Sequence, residues 1–268
     1  MTIIDIGFGG LAVAALLVIA NAGLSLLLQL DLARPLLIAA ARMSVQLLVV
    51  GLVLTELFAR VSLLWTGLIA LVMVLFAGNE IRARQERLLQ GVWSYGLGLT
   101  PMLLAATLIT LFALTTQLQP EPWYHPRYAI PLLGMILGNT MTGISLGLNT
   151  LTNNAHRERT TIEARLALGA TRWHAFKTVI REALRSGLMP IINSMSVTGL
   201  VSLPGMMTGQ ILAGTAPTLA VKYQLLIMFL IAGATGLGVL MAIYGGVYRL
   251  TDERHRLRLD RLSAKRER

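Results

Sequence analysis

The feature that most constrains this chain is the length of its uninterrupted apolar runs. Seven of them, at about 7–29, 36–58, 61–79, 93–114, 128–150, 187–213 and 221–248, reach or approach bilayer-crossing length, which for a helix takes roughly 20 apolar residues. In lipid every backbone N–H and C=O must be satisfied within the protein, so the spanning structures are helices and closed barrels, and barrel strands are only about half as long as these runs. The expected fold class is therefore an all-α integral membrane protein of about seven transmembrane helices. Residues 1–268 read as one transmembrane domain, with a polar loop at about 154–187 and a basic tail at 249–268. The charged fraction of 13% is about half that of a soluble domain. The absence of cysteine excludes a disulfide scaffold and a thiolate metal site, and four histidines leave little for an imidazole cluster.

Basic residues set the orientation, because Lys and Arg accumulate on the cytoplasmic side. The segment 154–187 carries seven of them against three acids, and the tail 249–268 carries eight against four. Arg82, Arg84 and Arg87 crowd the short link 80–90. Seven spans put all three regions on one side if the N-terminus is outside and the C-terminus cytoplasmic. The opposite loop, 115–127, is poor in charge and rich in Pro, and Trp123, Tyr124 and Tyr128 form an aromatic belt there. The start Met-Thr-Ile-Ile-Asp, with no basic residue ahead of a long apolar run, reads as a span and not a signal peptide. The net charge of +10 is accounted for by topology and attraction to anionic lipid. No basic fold of the kind that binds nucleic acid is visible. The tail is expected to form a short interfacial or solvated helix.

Two adjoining regions are not generic lipid-facing helix. In the first, Ile162, Leu166 and Leu168 lead to a break at Gly169-Ala170-Thr171, after which Trp173, Phe176, Val179, Ile180 and Leu184 resume at helical spacing. Thr160 or Thr161 can cap the first helix, Gly169 can end it, and Thr171 can cap the next. This predicts a helix–turn–helix on the cytoplasmic membrane face, either an interfacial linker or a short rigid knob presenting apolar anchors to a soluble partner. The second region, Ser186 to Val221, has no charged residue. Pro204-Gly205 and Gly209 within it predict a helix break near Leu203–Gly205. A break at membrane depth survives where it faces protein or water, as a kink, a turn, or a gate that contacts substrate.

The first region resembles the EAA loop of ABC-transporter permeases, carried by Glu163-Ala164, then Leu168-Gly169-Ala170-Thr171, then Phe176, Val179 and Ile180. Where that motif closes with Leu-Pro, this chain has Glu182-Ala183, and Met189-Pro190 follows later. The second region carries Thr198-Gly199-Leu200-Val201-Ser202-Leu203-Pro204-Gly205-Met206-Met207, which resembles the signature of the FetB family of permeases. Further matches are Arg42 with Gln46-Leu47, Gly134-Met135-Ile136 and Gly138-Asn139. The FetB family comprises bacterial iron-export ABC transporter subunits and is related to plant aluminium-tolerance membrane proteins.

The resemblance implies a permease in the inner, cytoplasmic membrane that exports iron or a related metal ion and is served by a separate cytoplasmic ABC ATPase subunit. It assigns ATPase coupling to Glu163, Ala164, Leu168, Gly169, Ala170, Thr171, Trp173 and Phe176. The residues agree that ATP and Mg must be bound by the partner and that this chain holds no cofactor. Lys177, Lys222 and Lys265 are the only lysines, and none follows the Gly-rich run that a phosphate-cradling loop requires. Because ABC transporters use two ATPase subunits, a homodimer of this chain is expected, with two-fold symmetry.

A transport pathway needs polar groups within the bilayer. Arg42 and Gln46, one turn apart on one face, can line a cavity or, for Arg42, snorkel to the surface. Asn139, Thr140, Thr142, Asn193 and Ser194 are interhelical hydrogen-bond candidates and pathway candidates, joined by Ser202, Pro204, Gly205, Met206 and Met207 around the expected break. Gly134-x-x-x-Gly138 and Gly143-x-x-x-Gly147 predict close packing of the fifth span. No metal ligand set is assigned, because no Asp, Glu or His lies well inside a span and the two methionine thioethers suit Cu(I) better than iron. An ABC permease for another solute, or an importer, remains the alternative. A proton-driven secondary transporter lacks the buried carboxylates it would need, and a membrane enzyme lacks any His-Glu-x-x-His spacing.

Overall fold

The computed structural model describes residues 7–265. The described chain is helical, with only isolated bridges and no strand, and it falls into two compact units. The first comprises the residues up to Val61 with Leu212–Gly214. Its helices α1 (Phe8–Leu27) and α2 (Ala33–Ala59) pack on each other. The turn between them is closed by Leu30 N–H donating to Ser25 O at 2.9 Å and Leu32 N–H donating to Ser25 Oγ at 3.0 Å. Apolar side chains such as Leu47, Leu48 and Leu52 on α2 are exposed, as expected of a helix whose solvent is lipid.

The second unit holds α3 (Leu63–Arg84), α4 (Trp93–Phe112), α5 (Pro126–Arg157), α6 (Arg159–Ala167), α7 (Arg172–Ala175), α8 (Lys177–Val197), α9 (Gly205–Leu212) up to Ile211, and α10 (Pro217–Arg249). A π-helical turn, Ala113–Leu118, prolongs α4. Among the described residues six helices are long and apolar enough to cross a membrane: α1, α2, α3, α4 with its extension, α5 and α10. The sixth expected span, 187–213, is divided, since the chain between α8 and α9 is not helical. Helix α8 also starts ten residues before the expected membrane entry at 187, so part of the anticipated loop belongs to the same rod as the membrane segment.

Between helices in a bilayer the hydrophobic effect offers little, and contact must come from close packing. Helices α5, α8 and α10 meet at such a seam. A Cβ on Gly143 of α5 would stand 2.8 Å from Gly187 O of α8 and 2.9 Å from Val239 Cγ2 of α10. Gly147 is similarly close to Ile243 Cδ1, at 3.1 Å. The other expected pair behaves differently: a Cβ on Gly138 would meet nothing within 4 Å, and one on Gly134 would meet only Met73 Cε, at 3.3 Å. Around the seam Ile136, Ile144, Leu148, Val239 and Ile243 are almost wholly buried.

The tail departs from expectation. Instead of a helix, Thr251–Leu257 forms a tight turn, closed by Arg258 N–H donating to Leu250 O at 2.9 Å and by the Arg256–Asp252 ion pair at 2.7 Å. After one 3-10 turn at Leu259–Arg261 the chain runs back along the link 85–92. Gln90 N–H donates to Arg261 O and Ser263 N–H donates to Leu88 O, both at 2.8 Å, and Lys265 pairs with Glu86 at 3.3 Å. Leu257, Leu259 and Leu262 pack against the core, and these apolar positions at odd spacing hold the tail extended.

Candidate functional site

Helix α5 has 32 residues and so is roughly 48 Å long at 1.5 Å per residue, longer than the bilayer core is thick. Its last turns are knit to the 85–92 link. Asn149 accepts from Glu86 N–H at 2.9 Å and donates to Arg84 O at 3.0 Å, while Asn153 donates to Glu86 Oε2 at 3.1 Å. Asn154 donates to Glu182 of α8. Sequence reading passed over these asparagines; their clustering at one helix end was the available signal.

Helix α6 follows after Glu158, which is its N-cap and makes no side-chain cap bond. Thr160 and Thr161 therefore lie inside the helix and do not cap it. Glu163 is exposed and pairs with Arg159 one turn earlier, at 2.9 Å, and Ala164 beside it is exposed too. The helix ends as expected: Gly169 has φ +88, a left-handed conformation that stops the helix and that L side chains rarely adopt. Thr171 caps α7, its hydroxyl accepting from His174 N–H at 3.4 Å. Arg165 Nη1 donates to Ala175 O at 3.2 Å, tying α6 to α7.

The apolar side chains of this turn divide into two sets. Ile162, Ala175, Phe176 and Val179 are buried in the core. Phe176 is completely so, which makes it an anchor of the turn and not a surface contact. Leu168 stands out at 88% exposed, with the exposed Thr171 and half-buried Ala170 close by. Trp173 is partly exposed and leans on Tyr244 of α10, ring centroids 5.3 Å apart. Arg172 fixes the turn from the other side. Its guanidinium donates to Asp252 O at 3.1 Å and to His255 Nδ1 at 3.3 Å, and lies 5.1 Å from the Tyr248 ring centroid. The sequence reading assigned Arg172 no part.

The break in the charge-free region is real but begins earlier than expected, at Thr198, and ends at Pro204. Thr198 Oγ1 donates to Ser194 O at 2.7 Å, Gly199 turns the chain with φ +92, and Gly199 N–H donates to Ser202 O at 2.9 Å. Leu200, Val201 and Leu203 are exposed on this segment, and Ser202 is exposed as well. Pro204 O accepts from Thr208 N–H at 3.0 Å, opening α9 at Gly205. Met206 and Met207 are half-buried, Met206 against the core. Asn193 is exposed and Ser194 half-buried on the last turns of α8.

Asn139 and Thr142 are not interhelical links: Asn139 donates to Met135 O at 2.8 Å and Thr142 to Gly138 O at 3.0 Å, within their own helix. Thr140 is fully buried, and its hydroxyl has no hydrogen-bond partner among the described residues. Arg42 and Gln46 are exposed on α2. Among the described residues no three His, Asp or Glu side chains converge on one point.

The two regions singled out in the sequence thus occupy opposite ends of one continuous rod. The 21 residues of α8, roughly 30 Å of helix, run from the turn around Gly169–Phe176 to the break at Thr198.

Comparison with known proteins gives this arrangement its context. The sequence profile of a family described as "Uncharacterised protein family (UPF0014)" matches residues 8–251. The chain is 41% identical over 232 residues to a UPF0014 membrane protein of Synechocystis sp., covering 84% of this chain and 86% of that one. It is 32% identical over 255 residues to the probable iron export permease protein FetB of Escherichia coli, covering 95% and 96%. With the protein ALUMINUM SENSITIVE 3 of Arabidopsis thaliana the identity is 34% over 233 residues, covering 87% and 83%. No solved structure matches the chain.

Proposed function

The chain belongs to the UPF0014 family of membrane proteins, and from that membership we propose that it is the permease subunit of an ABC transporter. In this reading residues 1–268 work as one permease domain in the cytoplasmic membrane, with the Trp123–Tyr128 end outside and the α6–α7 turn and tail inside. Two copies pair with two cytoplasmic ATPase subunits, which supply ATP and Mg. The cargo is iron or a related metal ion, moved outward; the printed name of the Escherichia coli relative supports that choice.

The observation that carries the proposal is the rod α8, which joins the turn to the break. Leu168 and Trp173 offer apolar anchors on a turn whose shape Gly169, Thr171 and the Arg165–Ala175 bond hold fixed. A partner groove that seats them and moves on ATP binding would push the buried Phe176 and the start of α8. The displacement would pass along α8, through the turn that holds Pro190, to Thr198 and change how the exposed segment 198–204 lines the path. The cargo would be held weakly by hydroxyls, amides and backbone carbonyls of that segment.

The test is ATPase activity of the complex, co-expressed with a neighbouring ATPase gene and reconstituted in liposomes against Fe, Cu, Zn, Mn and Al ions. Stimulation by iron with ATP-dependent movement away from the ATPase side is the expected result. Stimulation by another solute would replace the cargo, inward movement would make it an importer, and failure of any ATPase to co-purify would remove the ABC assignment.

A further inference from the structure

Beside the proposed coupling turn lies a cavity of about 540 Å³ with an unusual charge. Arg172, Arg249, Arg254, Arg256, Arg258 and Arg261 all line it, against the acids Asp252 and Glu253. Two of the six arginines carry carboxylate partners: Arg256 pairs with Asp252 at 2.7 Å and Arg258 with Asp260 at 2.8 Å. Three others are held by neutral groups. Arg172 rests on the Asp252 carbonyl, His255 and the Tyr248 ring. Arg261 Nη1 donates to Arg249 O at 2.8 Å. Arg249 has its guanidinium 5.1 Å from the Trp93 ring centroid, and its buried Nε has no hydrogen-bond partner among the described residues. Neutral partners fix these side chains in place without cancelling their charge, which is how a site prepared for an anion differs from a network of internal ion pairs.

The anion's chemistry follows from what adjoins the cavity. Trp93 also lines a second, apolar groove of about 660 Å³ between α4 and α10, together with Gly96, Pro101, Leu104, Met241 and Gly245. Gly96 and Gly245 supply no side chain, so the groove stays open along the two membrane-spanning helices. A phosphate at the arginines and a hydrocarbon chain in the groove would meet at Trp93, an amphipathic ring suited to the headgroup level.

We propose that the arginine cavity and the α4–α10 groove together form a binding site for one anionic phospholipid, its phosphate among Arg172, Arg249 and Arg261 and an acyl chain against Gly96. The inference rests on the membrane-spanning helices and is independent of the ABC reading. A bound lipid would bridge α4, α10, α7 and the tail.

The experiment uses the full chain, purified and delipidated in a neutral detergent, with bound lipid counted by native mass spectrometry. Phosphatidylglycerol is titrated beside phosphatidylcholine, and free glycerol phosphate is tested as a competitor. Phosphatidylglycerol should bind and phosphatidylcholine should not. Arg249→Gln should weaken binding by about fivefold, the scale of one basic residue near an anionic lipid surface, and Arg249→Lys should restore most of it. Arg181→Gln, on an exposed position of α8 outside the cavity, should change nothing. Gly96→Phe tests the groove separately, because a Cβ there meets nothing within 4 Å; it should fold normally and lose lipid. Equal binding of phosphatidylcholine, undiminished binding by Arg249→Gln or Gly96→Phe, or equal loss in Arg181→Gln would overturn the proposal. Displacement by millimolar glycerol phosphate would do the same and assign the cavity to a soluble phosphate.

Discussion

Gly143 and Gly187 face each other so closely that each would place a Cβ 2.8 Å from the other's carbonyl oxygen. The backbones of α5 and α8 therefore touch, at a point that Val239 of α10 also closes. Such an approach is open only to glycine, since at each position one obstructing atom is a backbone oxygen that cannot rotate away and the others are methyls of Thr235 and Val239. Gly143→Ala or Gly187→Ala should cost about 1–3 kcal/mol, as overpacking does, read as a fall in thermal unfolding temperature in detergent. The double variant should cost less than the sum, because either methyl forces the same separation. Gly138→Ala supplies the control: its Cβ meets nothing, and relieving a helical glycine stabilises by up to about 1 kcal/mol. Loss of stability at Gly138 equal to that at Gly143 would show that the close approach of the α5 and α8 backbones does not set the cost.

Gly169 tests the proposed coupling turn. With φ +88, a β-branched residue would be strained by about 1–3 kcal/mol and would change the direction in which α7 leaves α6. Gly169→Val should leave membrane insertion intact, because the turn is outside the spans, yet sever ATPase stimulation from transport. Gly169→Asn, which tolerates the left-handed region, should recover most of it. Normal transport by the valine variant would remove the turn from the coupling path.

The tail carries a pH dependence of defined sign. Hydrogen bonding from the Arg258 guanidinium holds the Asp260 carboxyl at about 2, below its ordinary 3.8. The Arg256 backbone N–H lowers Asp252 in the same direction. A depressed carboxylate contributes stability that is complete above its unfolded value and disappears as pH falls through the folded one. Docking of residues 250–265 on the 85–92 link should therefore weaken as pH falls from about 4 to about 2. Hydrogen exchange of the Ser263 amide, whose acceptor is Leu88 O, reads this directly. Asp260→Asn should flatten its part of the profile, and an unchanged profile in that variant would assign the effect elsewhere.

How much of this was legible in the sequence depended on the range of the interaction. Six of the seven spans, the Gly169 stop and the Thr171 cap follow from local preferences and are present among the described residues. The extended tail was not legible, because Leu262 pairs with Leu89 of the link and Leu257 and Leu259 pack on the core, contacts that neighbouring residues in the sequence do not announce. Phe176 read as a surface anchor for the same reason: helical spacing identifies an apolar face but not which body covers it. Gly134-x-x-x-Gly138 and Gly143-x-x-x-Gly147 look alike as strings, yet only the second faces a neighbouring backbone.

The broken helix gives the final prediction, and the early start of the break changes how it must be tested. Pro204 and Gly205 open α9, but the chain has already left the helix at Thr198 and turned at Gly199, φ +92. Replacing Pro204 and Gly205 with alanine removes the barrier to helix at the downstream edge only. The pair alone should let α9 grow backward by about a turn and slow transport partially. Adding Gly199→Ala and Thr198→Ala removes the left-handed turn and the Oγ1 bond to Ser194 O, so the four substitutions together should fuse α8 and α9 into one helix. Complex assembly, judged by co-purification of the ATPase, should survive in both variants, while iron transport should fall further in the second. Equal transport by wild type and the fourfold variant would mean that the segment 198–204 is a connecting turn and that the path lies elsewhere.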